Sequence, residues 1–143
     1  MWAASGEIDI FEAVNEMKEV QTTVHYGGEW PDNRAWTSST QVDASQWTVV
    51  TLVWEKDRLT WYMNGKKVHE AWSGQGSRDG WYTSSTRSGE MSTAPFDQNF
   101  HIILNLATGG GLTGNVDRQT VLDTLRAKPR TMHVDWVRVH GRR

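Results

Sequence analysis

Hydrophobic and polar residues alternate along most of this chain, and a period of two predicts β-strands. Polar or glycine-containing turns separate the alternating segments. The predicted strands cover residues 6–14, 19–26, 46–55, 58–64, 66–72, 99–107 and 132–140. Seven short strands joined by polar turns predict an all-β fold, in which two sheets pack as a sandwich.

Other local patterns mark the connections between these strands. The pair Asn64-Gly65 predicts a tight type I′ hairpin. Apolar residues at helical spacing, behind polar residues that can cap a helix, predict one short helix over 117–126. The stretches 27–45 and 73–98 have no regular pattern. Loops of that length inside a compact domain are usually functional or disordered, so both are predicted to be irregular.

The first predicted strand carries three carboxylates, Glu7, Asp9 and Glu12. Because side chains on a strand alternate between two faces, Glu7 and Asp9 share one face. Strict alternation would place Glu12 on the other face, among isoleucines, where an unpaired carboxylate is unfavourable. One extra residue between Asp9 and Glu12, a β-bulge, returns Glu12 to the face of the other two acids. We therefore predict a bulged strand with three acids on one face.

Three like charges on one face couple their titrations, so that one acid holds a proton while another is ionised. Hydrolysis of a glycoside with retention needs this division, with a carboxylate nucleophile about 5 to 5.5 Å from a protonated partner. The alternatives are a solvated acidic face and an acidic metal site. No Lys or Arg is interleaved with the acids, and the segment is too apolar to resemble an oxygen-rich cation loop. The pattern favours acid-base chemistry.

Length, charge and cysteine content narrow the classes of function. The 143 residues carry a formal net charge of −2 and a sequence pI near 6.2, which provides no basic surface for nucleic acid or an anionic membrane. The sequence shows no membrane span and no signal peptide of its own. The absence of cysteine excludes disulfides and thiolate metal sites. The length predicts a single domain over 1–143.

The run from Trp2 to Glu12, W-A-A-S-G-E-I-D-I-F-E, resembles the signature of glycoside hydrolase family 16 in the bulged E-x-D-x-x-E form of laminarinase-like endo-β-1,3-glucanases. Blocks that resemble the same family follow in the family's order: His25–Pro31, Trp54–Tyr62, Pro95–Gln98, Leu104–Gly110 and Val134–Val139. The resemblance implies a concanavalin A-like β-jelly-roll sandwich. It also implies that Glu7 is the nucleophile, Asp9 its helper and Glu12 the acid/base.

The sequence departs from the family pattern in two ways. Ala3 stands where the family usually has proline. Family catalytic domains are commonly longer, so the resemblance covers only the C-terminal portion of such a domain, and we expect the N-terminal strands to be missing. Strands without partners predict a homodimer that forms through unpaired edges. The resemblance further implies an extracellular protein.

Nine tryptophans are a high content for a chain of this length. Aromatic faces stack on the apolar faces of sugars and are common in ligand clefts. Trp2, close to the first acid, and Trp30 and Trp81, in glycine-flanked loops, are predicted to bind substrate. Those within strand-like runs, Trp54, Trp61 and Trp136, are predicted to lie in the core.

His25 ends a predicted strand, and the resemblance implies that it lines the cleft near the leaving-group side. The five histidines lack the spacing of a zinc site. Asp135 matches a position where some family members hold a structural calcium, but the other ligands would come largely from the absent N-terminal portion. We therefore predict that no metal or other cofactor is required.

These observations together predict an endo-acting retaining glycoside hydrolase that cleaves β-1,3-glucan or mixed-linkage β-1,3-1,4-glucan. Its expected partner is a β-glucan polysaccharide, with no nucleic acid or membrane. The alternative is a truncated, noncatalytic β-glucan-binding sandwich, in which the signature is present but the cleft is incomplete. The sequence does not fix the linkage, because related enzymes cut agar or carrageenan with the same acid arrangement.

Overall fold

The computed structural model describes residues 2–74, 79–84, 93–114 and 116–141. Its described strands form two antiparallel sheets of three strands each. The strands are β1 Glu7–Ala13, β2 Glu19–Gly27, β3 Asn33–Gln41, β4 Val50–Glu55, β5 Arg58–Met63 and β6 Lys66–Trp72. The order is β1-β2-β3 in the first sheet and β4-β5-β6 in the second. Neighbours along the chain are therefore neighbours in each sheet, as hairpin connections require.

The two sheets pack face to face and enclose the core, which confirms the predicted all-β sandwich. Strand β1 contacts β4, and β3 contacts β6. The fully buried core residues come from both sheets and from the segments that follow them: Val24, Leu59, Trp61, Ala71, Trp81 and Phe96. A hydrogen bond also crosses between the sheets, because the Ser38 hydroxyl donates to the Val68 carbonyl at 3.1 Å.

Strand β3 lies in the stretch 27–45 that the sequence predicted to be irregular, so that prediction is wrong for this part. The strand pairs with β2 along its whole length. Its inward-facing residues include Ser38 and Thr40, which are small and polar, and only Trp36 is large. Because hydrophobic alternation is the primary signal of a half-buried strand, a strand with polar residues on its inner face gives little of it.

The hairpin between β5 and β6 confirms the turn predicted from Asn64-Gly65. The φ angles are 49° at Asn64 and 80° at Gly65, the two positive values that a type I′ turn requires. The side-chain oxygen of Asn64 also accepts a hydrogen bond from the Val49 backbone at 2.9 Å. The turn thus joins two strands and holds the segment that leads into β4.

The chain divides into two compact units, Met1–Phe100 and His101–Arg143. The second unit contains helix α1, Arg118–Ala127, which confirms the predicted helix within one residue at each end. Asp117 caps it by accepting a hydrogen bond from the Thr120 backbone at 2.8 Å. The prediction of one domain over 1–143 stays a prediction. Among the described residues, no helix has the length and apolar content needed to cross a bilayer.

The segments 99–107 and 132–140, predicted to be strands, form none within the described residues. This part of the strand prediction is wrong. A strand is defined by backbone hydrogen bonds to a neighbour, and neither segment takes part in a ladder of the described sheets. Trp54 and Trp136, both predicted to lie in the core, are 41% and 47% exposed, so these two predictions are wrong.

Candidate active site

The site begins with the bulge in β1. Asp9 pairs with Thr23 of β2, whereas Glu12 pairs with Gln21, so three steps along β1 correspond to two along β2. One extra residue therefore lies between the two acids, as predicted. Glu7 pairs with His25, and the three acids stand opposite alternate residues of β2 on one face. On the opposite face, Ile8 packs against the core.

Asp9 and His25 form the central ion pair of this face. Oδ2 of Asp9 lies 3.3 Å from Nε2 of His25, a close charge contact rather than a well-aligned hydrogen bond. This contact with Asp9 raises the pKa of His25, against burial, which lowers it, and the negative charges of Asp9, Glu7 and Glu12 add to the increase. His25 therefore remains a cation to higher pH than an ordinary histidine.

The pKa of Glu12 is also raised, but here burial is the largest cause of the increase. Burial raises the pKa of its carboxyl, the negative charge of Asp9 raises it further, and Glu7 adds a smaller increase. His25 opposes them, since its positive charge lowers the pKa of Glu12. The net effect is a carboxyl that keeps its proton to higher pH than usual, the property required of a general acid.

Trp2 holds Glu7 from one side. Its indole N–H donates a hydrogen bond to Oε2 of Glu7. Its ring also packs on His25, with centroids 5.1 Å apart and planes tilted by 44°. The loop that carries Trp2 is tied to the rest of the unit, because Thr83 donates to the carbonyl of Ala4 at 2.8 Å. Trp2 remains 52% exposed, which leaves part of its surface open to a ligand.

Trp30 lies in the turn between β2 and β3 and is 85% exposed. This turn adjoins the loop that carries Trp2, because the Ala3 backbone N–H donates to the carbonyl of Gly28 at 3.2 Å. The structure thus places Trp30 on the loop next to Trp2, with its ring open to solvent. Its role in substrate binding stays a prediction.

Trp81 is fully buried, which contradicts the prediction that it lines the cleft. Its indole N–H donates to the Thr93 carbonyl at 2.9 Å, and its ring meets Phe96 edge to face at 5.1 Å. The adjacent Gly80 explains this position, because any larger side chain there would collide with the carbonyl of Trp72. The glycine that marked a loop in the sequence instead allows a close approach that brings Trp81 into the core.

A further contact of the site, made from the second sheet, was not predicted from the sequence. The indole N–H of Trp61, a fully buried residue of β5, donates to the backbone carbonyl of Asp9 at 3.2 Å. Alternation correctly placed Trp61 in the core. The hydrogen bond depends on how the two sheets pack against each other, and no local sequence signal reports that.

Other parts of the described structure lie apart from the three acids. A cavity of about 340 Å³ is lined by residues 40–43, 46, 48, 63, 64, 66 and 68, and none of the acids lines it. Across the described ranges, no group of three or more His, Asp or Glu side chains is arranged to hold a metal ion, and this search included Asp135. On the face of the first sheet that carries the acids, Glu7 is exposed, whereas Asp9 and Glu12 are partly buried.

The fold and this face define a β-sandwich protein with three carboxylates on one face of its first sheet. Residues 2–112 match the family described as glycosyl hydrolases family 16. The chain belongs to that family.

Named relatives come from several organisms. The chain is 38% identical over 97% of its length to a glucan endo-1,3-beta-glucosidase A1 of Niallia circulans, and it covers 20% of that protein. It is 31% identical over 79% of its length to a glucan endo-1,3-beta-glucosidase of Cryptopygus antarcticus, covering 41% of it. It is 31% identical over 77% of its length to a beta-1,3-glucan-binding protein of Penaeus monodon, covering 35%. The chain thus spans less than half the length of these relatives.

Proposed function

We propose that this chain hydrolyses internal bonds of β-1,3-glucan or mixed-linkage β-1,3-1,4-glucan with net retention. The observation that carries the proposal is the bulge between Asp9 and Glu12, since it brings the three acids to one face. A raised pKa at Glu12 supports its role as the acid, because burial and two neighbouring carboxylates favour its protonated form. The matched relatives named as endo-1,3-beta-glucosidases support the choice of polymer.

In the first step, a carboxylate oxygen of Glu7 attacks the anomeric carbon. The glycosidic bond breaks, and Glu12 gives its proton to the departing oxygen. In the second step, Glu12, now a carboxylate, takes a proton from water. The water oxygen attacks the anomeric carbon and Glu7 leaves, so two inversions give net retention.

The neighbours of Glu7 and Glu12 have separate tasks in this scheme. The Trp2 indole N–H holds Oε2 of Glu7, which orients the carboxylate for attack. Asp9 keeps a negative charge beside Glu12 and so favours its protonated form. His25 holds Asp9 in place through their ion pair.

The exposed rings of Trp2 and Trp30 offer stacking surfaces on two adjacent loops beside the acids. We place consecutive sugar rings of a β-glucan along these two loops. By the same family resemblance, the protein acts outside the cell, where such polymers occur.

A noncatalytic β-glucan-binding module is the second candidate. The observation in its favour is the 31% identity to a protein named for β-1,3-glucan binding. In this case the three acids would contact the sugar without cleaving it. Unpaired strand edges would then serve to form a homodimer.

The test is release of reducing sugar from laminarin by the wild type, Glu7→Ser and Glu19→Ser. We expect the Glu7 variant to lose at least about 10³-fold in rate, because removing a covalent nucleophile stops the first step. Glu19 is an exposed acid at the start of β2 and provides the matched control, which should keep the wild-type rate. Proton NMR of the first product should show the β-anomer.

Two outcomes contradict hydrolysis. Equal rates for the wild type and Glu7→Ser would remove Glu7 from the mechanism. Binding of laminarin by the wild type without sugar release would establish the binding module instead.

A further inference from the structure

We propose that Trp61 is a positioning residue that fixes the bulge of β1, and with it the direction of the Glu12 side chain, through the hydrogen bond from its indole N–H to the Asp9 carbonyl. This inference rests on the proposed function for its catalytic consequence. Its structural content, that Trp61 sets where the extra residue of the bulge lies, does not depend on turnover.

The contact is made at the residue where the bulge begins. Asp9 is the last residue of β1 that pairs in normal register before the shift, and its carbonyl lies 3.2 Å from Nε1 of Trp61. Trp61 belongs to the second sheet and is fully buried. The first sheet is therefore joined to the second at the start of its irregular segment.

The indole is itself held in place. His69 stacks on it with centroids 4.6 Å apart and planes 19° from parallel. Nδ1 of His69 lies 3.0 Å from the hydroxyl of Thr22, a buried residue of β2. Trp61 thus cannot turn without disturbing a ring and a hydrogen bond that both lie inside the core. A rigid donor is required if a backbone carbonyl is to be kept at one position.

The position of a bulge decides the direction of every side chain beyond it. If the extra residue moved past Glu12, the Glu12 side chain would turn toward the opposite face, because strand side chains alternate with a period of two. The Trp61 hydrogen bond selects one carbonyl of β1 and so opposes that movement. Trp61 is fully buried and its indole N–H donates to a backbone carbonyl of β1, so its effect on catalysis is exerted through the backbone.

The test replaces Trp61 with phenylalanine, which keeps an aromatic ring and removes the N–H. Titration of Glu12 is followed by ¹³C NMR of its carboxyl without substrate, and kcat and KM are measured on laminarin. We expect the titration of Glu12 to differ from that of the wild type, because burial and the negative charge of Asp9 set its pKa and both change if Glu12 changes direction. We expect kcat to fall about 10- to 100-fold, as for a small misplacement of a reacting group, with KM unchanged within about twofold.

Trp54→Phe is the matched control. Trp54 lies on β4, next to β5, and its indole N–H also donates to a backbone carbonyl, that of Phe96 at 2.9 Å. Trp54→Phe removes the same N–H group from a hydrogen bond that ends at Phe96 and not at a residue of the bulge. We expect the Glu12 titration and kcat of this variant to match the wild type.

A folded Trp61→Phe variant with the wild-type titration of Glu12 overturns the inference, as does an equal change in Trp54→Phe. If Trp61→Phe does not fold, site-specific replacement of Trp61 by benzothienylalanine, which has sulfur in place of the N–H, gives the same comparison with little change of shape. A wild type that releases no sugar from laminarin refutes the proposed function, whereas the NMR titration still decides the role of Trp61.

Discussion

Gly6, which directly precedes β1, combines two constraints that a single substitution tests. Its φ angle is +76°, in the left-handed region that residues with a Cβ rarely adopt. A Cβ placed there would lie 2.7 Å from Cγ of Pro95 and 2.8 Å from Cε1 of Phe96. Phe96 is buried and packs edge to face on Trp81, so it has little room to move away.

The expected loss of stability in Gly6→Ala has a backbone part and a contact part. A left-handed conformation costs a residue with a Cβ roughly 1–2 kcal/mol. Overpacking in a dense core typically adds about 1–3 kcal/mol. The sum is about 2–5 kcal/mol, or roughly 8–20 °C in the unfolding midpoint at about 4 °C per kcal/mol for a chain of this size.

Gly65→Ala isolates the contact part. Gly65 has a φ angle of +80°, and a Cβ there would meet nothing within 4 Å. Both variants share the backbone strain and the smaller entropy of the unfolded chain, so these cancel in the difference. We expect Gly65→Ala to be more stable than Gly6→Ala by about 1–3 kcal/mol in urea unfolding. Gly6→Ala should also lose activity on laminarin, because its backbone shift moves Glu7.

Equal unfolding free energies for the two variants would refute this reasoning. That result would mean that Pro95 and Phe96 yield to a methyl group without loss of packing. Full activity in Gly6→Ala, together with the expected loss of stability, would show that the shift does not reach Glu7.

Two further predictions concern the histidines. His25→Gln removes a positive charge that lowers the pKa of Glu12. The alkaline limb of the pH profile of kcat/KM should therefore move to higher pH. A move to lower pH would contradict the ion-pair geometry. Burial lowers the pKa of His69 below 6.5, so the unfolded chain binds more protons and stability should decrease as pH falls from about 6.5 through the folded pKa. The free energy of unfolding in urea should therefore be lower at pH 5 than at pH 7, and this difference should be smaller in His69→Phe. An equal difference in the variant and the wild type would contradict the burial of a neutral ring.

The arrangement of the acids was predictable because it depends on local facts. Three carboxylates at intervals of two and three, in a segment rich in isoleucine, leave few arrangements that avoid a buried charge. The bulge follows from that restriction, and the pairings of Asp9 and Glu12 confirm it. The side-chain partners did not follow, because Trp2 reaches Glu7 through a turn whose backbone path the sequence does not specify.

Three tryptophan assignments were wrong: Trp81 is buried, and Trp54 and Trp136 are 41% and 47% exposed. Trp81 follows a glycine, and a glycine marks either a loop or a close approach between backbones. Only the position of Trp72 across the fold decides between these, and in this structure it favours the close approach. Trp136 sits in an alternating segment, which reports a two-faced pattern but not whether the inner face is covered.

The same distinction explains why the polar segment of β3 is a strand, whereas two segments of greater hydrophobicity form no strand. Strand β3 pairs with β2 although its inner face is largely polar, because a turn of five residues brings them side by side. The segments 99–107 and 132–140 alternate more clearly, yet neither belongs to a described sheet, and neither follows a described strand through a short turn. Alternation therefore predicts which face of a strand is buried, whereas proximity along the chain decides whether the strand has a neighbour. Strand β1 satisfies both conditions, since β2 begins six residues after it ends. For that reason the three acids could be placed from the sequence alone.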